Sequence, residues 1–142
     1  MLYAAYGTDV NKEFMSYLCP DAKLFGVGKI DGYRLVFEHS ANIIPDGKSF
    51  VPVLVWDVSE SDVERLDRYY DYPMYYESSV IDVDIDGKDI AVFTYMLNKD
   101  TVDLECPYSV YEDVIHEGYI ENGFDVSYLK DAIEESYYES VK

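Results

Sequence analysis

Hydrophobic and polar positions along the chain alternate in short β-type and helical stretches divided by turn residues. Leu2 to Tyr6 is apolar and β-favouring and is followed at once by Gly7-Thr8-Asp9, which predicts a first strand running into a tight loop. A short helix follows, capped by Asp9 or Asn11, with Phe14, Met15 and Leu18 on its apolar side. It ends before Pro20, because the residue preceding a proline avoids the helical region. Lys23 to Val27 and Tyr33 to Glu38 read as strands around a turn at Asp31-Gly32, and Asn42, Pro45, Asp46 and Gly47 mark a loop between Ser40 and Lys48. From Ser49 to Val58 both alternating faces are mostly apolar, Val51, Val53 and Val55 against Pro52, Leu54 and Trp56. That is the pattern of a central strand, with Pro52 arguing for an edge or bulge at its own position.

Ser59 followed by Asp62 opens a helix in a variant of the capping box, and Val63, Leu66 and Tyr70 form its buried stripe. Val80 to Ile85 and Lys88 to Met96 flank Asp86-Gly87, the signature of a two-residue type I′ hairpin turn. Ser109 with Glu112 opens another helix to about Gly123, and Leu129, Ala132, Ile133, Ser136 and Tyr137 pattern a last one. Strands joined by short turns are antiparallel, so the predicted class is α+β, a single domain over residues 1–142 whose acidic stretch 134–142 is expected to fray.

Length agrees, since 142 residues suit one core. Charge narrows the partners. With 29 acidic against 11 basic side chains, a net −18, the surface repels phosphate backbones and anionic headgroups, so neither nucleic acid nor a membrane is an expected partner. The start of the chain lacks the basic region and long apolar run of a secretory leader, which points to a cytoplasmic protein. Sixteen tyrosines, against six phenylalanines and one tryptophan, suggest walls that pack through their rings while their hydroxyls reach water or a ligand.

Few motifs carry chemistry on their own. Asp82, Asp84, Asp86 and Gly87 resemble the opening of a calcium loop, but the twelfth position, which needs a bidentate Glu, is Phe93; the alternation with Ile81, Val83 and Ile85 is that of a half-exposed hairpin strand. His39 and His116 lack partners at metal-ligand spacing, Cys19 and Cys106 read as small hydrophobes, and no metal is expected.

Two segments together are more specific. Tyr3-Ala4-Ala5-Tyr6-Gly7-Thr8-Asp9 and Leu66-Asp67-Arg68-Tyr69-Tyr70-Asp71-Tyr72-Pro73-Met74-Tyr75-Tyr76 resemble the γ-glutamylcyclotransferase-like family, the avirulence-induced-gene-like domain. Cys19-Pro20-Asp21-Ala22, Gly32-Tyr33-Arg34-Leu35-Val36-Phe37, Val55-Trp56, Thr94-Tyr95-Met96-Leu97 and Glu121-Asn122-Gly123 fit as well, so the resemblance spans nearly the whole chain. It implies a small, mainly antiparallel barrel-like sheet with flanking helices, a small-molecule ligand and no cofactor. It also implies release of 5-oxoproline from γ-glutamyl compounds, in which the substrate's α-amine attacks its own γ-carbonyl.

Carried over residue by residue, the resemblance makes Tyr6, Gly7, Thr8 and Asp9 the loop that holds the glutamyl part, with Tyr76 and Tyr95 beside the pocket. The family's catalytic Glu-Gly is Tyr70-Asp71 here. A phenol with pKa ~10 needs about 4 kcal/mol to ionise near neutrality, so Tyr70 is a poor base. Asp71 is a substitute, but one residue along a helix turns a side chain by about 100°. The loop also carries Thr8-Asp9 where the family commonly has Ser-Asn, and Leu18 where many members have Arg. Asp9 opposes a substrate carboxylate and suits an ammonium. The expectation is a pocket for a γ-glutamyl or related amine-bearing molecule with impaired or altered chemistry; the alternative is an active cyclotransferase using Asp71 or another carboxylate.

Overall fold

The computed structural model describes residues 1–140. Its elements are β1 (Leu2–Ala5), a 3₁₀ turn (Thr8–Val10), α1 (Lys12–Leu18), β2 (Lys23–Glu38), β3 (Ser40–Asp57), α2 (Glu60–Tyr69), β4 (Tyr76–Ile85), β5 (Lys88–Leu97), α3 (Ser109–Asn122) and α4 (Ser127–Ser140). The five strands close into a barrel in the order β1-β3-β2-β4-β5. Neighbours are antiparallel except where β1 meets β5 in parallel, Tyr3 opposite Phe93, to close the ring. The α+β, barrel-like expectation holds. No helix among the described residues is long and apolar enough to cross a membrane.

Local signals set several elements where the sequence places them. The Asn11 side chain accepts from the Phe14 amide at 3.1 Å and starts α1. Ser59 and Asp62 complete a reciprocal capping box at α2. Asp86 and Gly87 both take positive φ, as a type I′ turn requires. β3 is central between β1 and β2, and Pro52 lies beyond the residues that β1 pairs, where its missing N–H disrupts no ladder on that side.

Two expectations are corrected. The segments 23–27 and 33–38 form one strand, β2, and Asp31-Gly32 makes an irregularity in it instead of a turn: Gly32 has φ 81° and the register shifts between Asp31 and Tyr33. The segment 40–48 is not a loop but the first half of β3, because it lies against β2 with Leu35 opposite Ile43 and Phe37 opposite Ala41, all four buried. Its turn-forming residues are accommodated by specific bonds. Buried Asn42 donates to Glu38 and accepts from the Leu97 amide, both at 3.1 Å. The reversal is made at His39, with φ 63°. A smaller shift concerns α3: Ser109 is already its first residue and Tyr108 holds the cap position. Of the stretch expected to fray, 134–140 continues α4, and residues 141–142 lie outside the described residues.

Helix α3 fixes the loop that follows β1. Asn11 donates to the Val114 carbonyl at 3.0 Å and Asn122 donates to the Val10 carbonyl at 2.7 Å. Contact is closest at Gly118, where a Cβ would stand 2.7 Å from Val10 Cγ2 and 2.9 Å from the Asn11 nitrogen. In an exposed helix, replacing glycine by alanine stabilises by roughly 1 kcal/mol. At this position Gly118→Ala is expected to do the reverse, lowering unfolding free energy by about 1–3 kcal/mol through overpacking against backbone. Urea denaturation checks this, and a gain in stability would contradict the close approach.

Candidate functional site

The loop after β1 and the end of α2 meet at one end of the barrel. Asp9, on the 3₁₀ turn, is fully buried, and its Oδ2 accepts hydrogen bonds from Tyr70 at 2.6 Å and from the Tyr3 hydroxyl. The two phenol oxygens are 3.1 Å apart. Trp56 on β3 donates through Nε1 to the Asp9 carbonyl at 3.1 Å, which pins the turn from beneath. Carboxylate Oδ1 has no hydrogen-bond partner. A buried acceptor left in that state is costly.

Electrostatics follow from burial. Removal from water pushes the Asp9 carboxyl above the ordinary carboxylate range, opposed by the Tyr3 and Tyr70 hydroxyls and by the amides of Asp9 and Gly7, which favour its charged form. The loop's own amides therefore act on the loop's own carboxylate. Burial, followed by the Asp9 charge, holds Tyr70 and Tyr3 well above the usual phenol value, so both stay protonated. Tyr70 thus cannot ionise alone near neutrality, as its sequence position suggests.

The other residues singled out by the resemblance surround this pair. The Tyr70 ring stacks on Tyr95 at 4.5 Å and meets Tyr76 and Tyr69 edge-on, each at 4.9 Å. The Tyr6 hydroxyl donates to the Tyr95 carbonyl, Tyr76 donates to the Ala41 carbonyl at 2.6 Å, and Thr8 Oγ1 lies 2.8 Å from the Tyr69 hydroxyl. Gly7 is packed between Ala41 and the Tyr111 hydroxyl. Asp71 is not brought in: it is exposed, with φ 50° at the end of α2, and its amide donates to the Arg68 carbonyl. The helix has unwound there, which takes the carboxylate off the stripe that Leu66 and Tyr70 share.

Sequence reasoning gave no role to Tyr3, Tyr69, Trp56 or Asp67. Asp67 accepts from the Tyr95 hydroxyl at 2.6 Å, and both line an open, mainly aromatic and aliphatic cleft of about 250 Å³ with Val63, Tyr72 and Phe93. Tyr95 is thus shared between the cleft and the Asp9 cluster. Tyr3 could have been found from strand alternation beside Ala5, since it is the only polar-tipped side chain on that face of β1. Among the described residues no group of three or more His, Cys, Asp or Glu is placed to hold a metal.

Comparison with known proteins bears on this arrangement. A family model described as "Gamma-glutamyl cyclotransferase, AIG2-like" matches residues 3–114. Among solved structures, one described as "Gamma-glutamyl cyclotransferase" is similar with a TM-score of 0.80 and 23% identity, over 93% of this chain and 85% of that one. A human protein described as uncharacterized, loc79017, gives 0.78 and 23% over 92% and 85%. YkqA from Bacillus subtilis gives 0.77 and 17% over 96% of this chain and 54% of that one. No curated protein matches.

Asp9 makes a stability prediction. A carboxyl whose folded pKa lies above its unfolded value binds its proton more tightly when folded, so its contribution to stability declines as pH rises from the ordinary carboxylate range through the folded pKa. Asp9→Asn removes the buried charge. The variant is expected to melt above wild type at pH 8, with the gap narrowing as pH falls to 4. A gap independent of pH in thermal melts would show that Asp9 is not held in this way.

Proposed function

Because the chain belongs to the γ-glutamyl cyclotransferase, AIG2-like family, we propose that it binds a γ-glutamyl or related amine-bearing small molecule at the tyrosine-lined end of the barrel. It releases 5-oxoproline there by chemistry altered at position 70. The observation that supports the reading is convergence. Asp9, Tyr70, Tyr76 and Tyr95, drawn from three distant parts of the sequence, form one contact network beside an open cleft.

The reaction sets three tasks. The glutamyl chain must be folded so that its α-amine lies near the γ-carbonyl, a proton must leave that amine, and the oxygen of the tetrahedral intermediate must be stabilised. The cleft shared by Asp67 and Tyr95 supplies walls for the first task, and its carboxylate and phenol suit an ammonium or amide N–H. Proton removal does not rest on Tyr70 by itself, which burial keeps protonated, and Asp71 is exposed at the end of α2. The acidic surface favours ligands carrying an amine over polyanions.

A second reading, binding without turnover, is favoured by the Tyr70 ring, which fills space between Tyr95, Tyr76 and Tyr69 that a substrate would otherwise use. The two separate in one experiment. The folded protein is titrated calorimetrically with γ-glutamyl-alanine and a set of γ-glutamyl amines, and 5-oxoproline is measured in parallel. Saturable heat with product is the expected result. Heat without product establishes the second reading, and neither heat nor product with any of them removes both.

A further inference from the structure

We propose that Asp9 is the proton acceptor of this site, working through the Tyr70 hydroxyl, so that the carboxylate that the family pattern carries at position 70 is supplied here from the loop after β1. The proposal rests on the cyclotransferase reading given above. The resemblance implies a carboxylate at position 70, where this chain has a phenol, and this chain carries a carboxylate at position 9. The two side chains, 61 residues apart, are joined at 2.6 Å. Tyr70 keeps part of its surface exposed and Asp9 none, so of the two residues it is Tyr70 that reaches the surface.

Such a pair does what neither member does alone. With the α-amine as free base, its nitrogen attacks the γ-carbon and one N–H proton passes to the Tyr70 oxygen as the phenol's own proton passes to Asp9 Oδ2. The phenol is never required to hold a negative charge. When the bond between the γ-carbon and the leaving nitrogen breaks, the proton returns from Asp9 through Tyr70 to that nitrogen. The products are 5-oxoproline, which keeps the second amine hydrogen, and a free amine. Tyr70 touches the reacting atoms and is the catalytic residue; Asp9 acts through it. Tyr3, bonded to the same carboxylate oxygen and 3.1 Å from the Tyr70 hydroxyl, holds the two in register. Oδ1 accepts from neither phenol, and the amides of Asp9 and Gly7 favour the carboxylate's charged form.

A pH profile can be assigned because Asp9's neighbours do not titrate nearby. From β1 it is faced by Tyr3, from α2 by Tyr69 and Tyr70, from β5 by Tyr95, and its charge is also felt at Tyr6, Tyr111 and Cys19. Burial raises every one of these phenols, and it raises the Cys19 thiol to about 12. A limb in kcat/KM that lies above the ordinary carboxylate range and disappears in Asp9→Asn belongs to Asp9.

The experiment compares wild type, Asp9→Asn, Tyr70→Phe and the double variant Asp9→Asn/Tyr70→Glu, using γ-glutamyl-alanine as probe and circular dichroism as the folding control. Wild-type kcat/KM is expected to rise with pH along a limb lying above the ordinary carboxylate range. Asp9→Asn and Tyr70→Phe should each lose about 10²–10⁴-fold in kcat, with the affinity for the probe measured by calorimetry changed only a few-fold. The double variant, which returns the carboxylate to position 70, should regain at least about tenfold over Asp9→Asn. Turnover in Asp9→Asn equal to wild type, or an acid limb that survives in it, overturns the proposal while leaving the cyclotransferase reading intact. Wild-type protein that binds the probe without releasing 5-oxoproline also overturns it. Protein that neither binds nor turns over any γ-glutamyl compound fails the cyclotransferase reading itself.

Discussion

The arrangement at the barrel's end depends on one buried carboxylate and the phenols that keep it there. Asp9 has no contact with water, and Tyr3 and Tyr70 replace part of the solvation it has lost. A charge in a dry interior is tolerated only when it is hydrogen-bonded or neutralised. Most of the surrounding features follow from meeting that requirement: a phenol at position 70, another on β1, an indole pinning the turn's carbonyl, and a proton affinity raised above that of an exposed aspartate. The protein accepts an expensive side chain in its interior, as proteins do where chemistry is carried out.

The same requirement explains how the barrel is built around the site. β1 is short, so its closing contact with β5 is a single parallel pair at Tyr3 and Phe93. That pair places the Tyr3 ring against Phe93 and Tyr95 and its hydroxyl on Asp9. The residue that closes the barrel also satisfies the carboxylate. Tyr95 plays a comparable double part, with its ring against Tyr70 and its hydroxyl on Asp67.

Much of the fold was legible because the relevant signals are local. A cap at Asn11, a capping box at Ser59 and an Asp86-Gly87 turn act within four residues and need no knowledge of the rest. The first half of β3 was not legible, because Asn42, Pro45 and Gly47 favour turns and only pairing with β2 overrides them. At the site, the resemblance singles out positions 9, 70, 76 and 95, which the structure brings together, and implies a glutamate where Tyr70 stands. It could not show that Asp9 and Tyr70 share a hydrogen bond, since that depends on tertiary placement. Asp71 adjoins Tyr70 in sequence, but it is exposed, with φ 50° at the end of α2.

The grip of α3 on the turn after β1 has a consequence for assembly. The family match ends at residue 114, yet Gly118 and Asn122 make the contacts that shape the Val10–Asn11 backbone next to Asp9. On a ribosome the strand and turn emerge before the helix that seats them, which follows about a hundred residues later. The barrel strands can pair in the interval, but the carboxylate's surroundings are finished only when that late helix docks, so the buried Asp9 cluster is among the last parts of the molecule to mature.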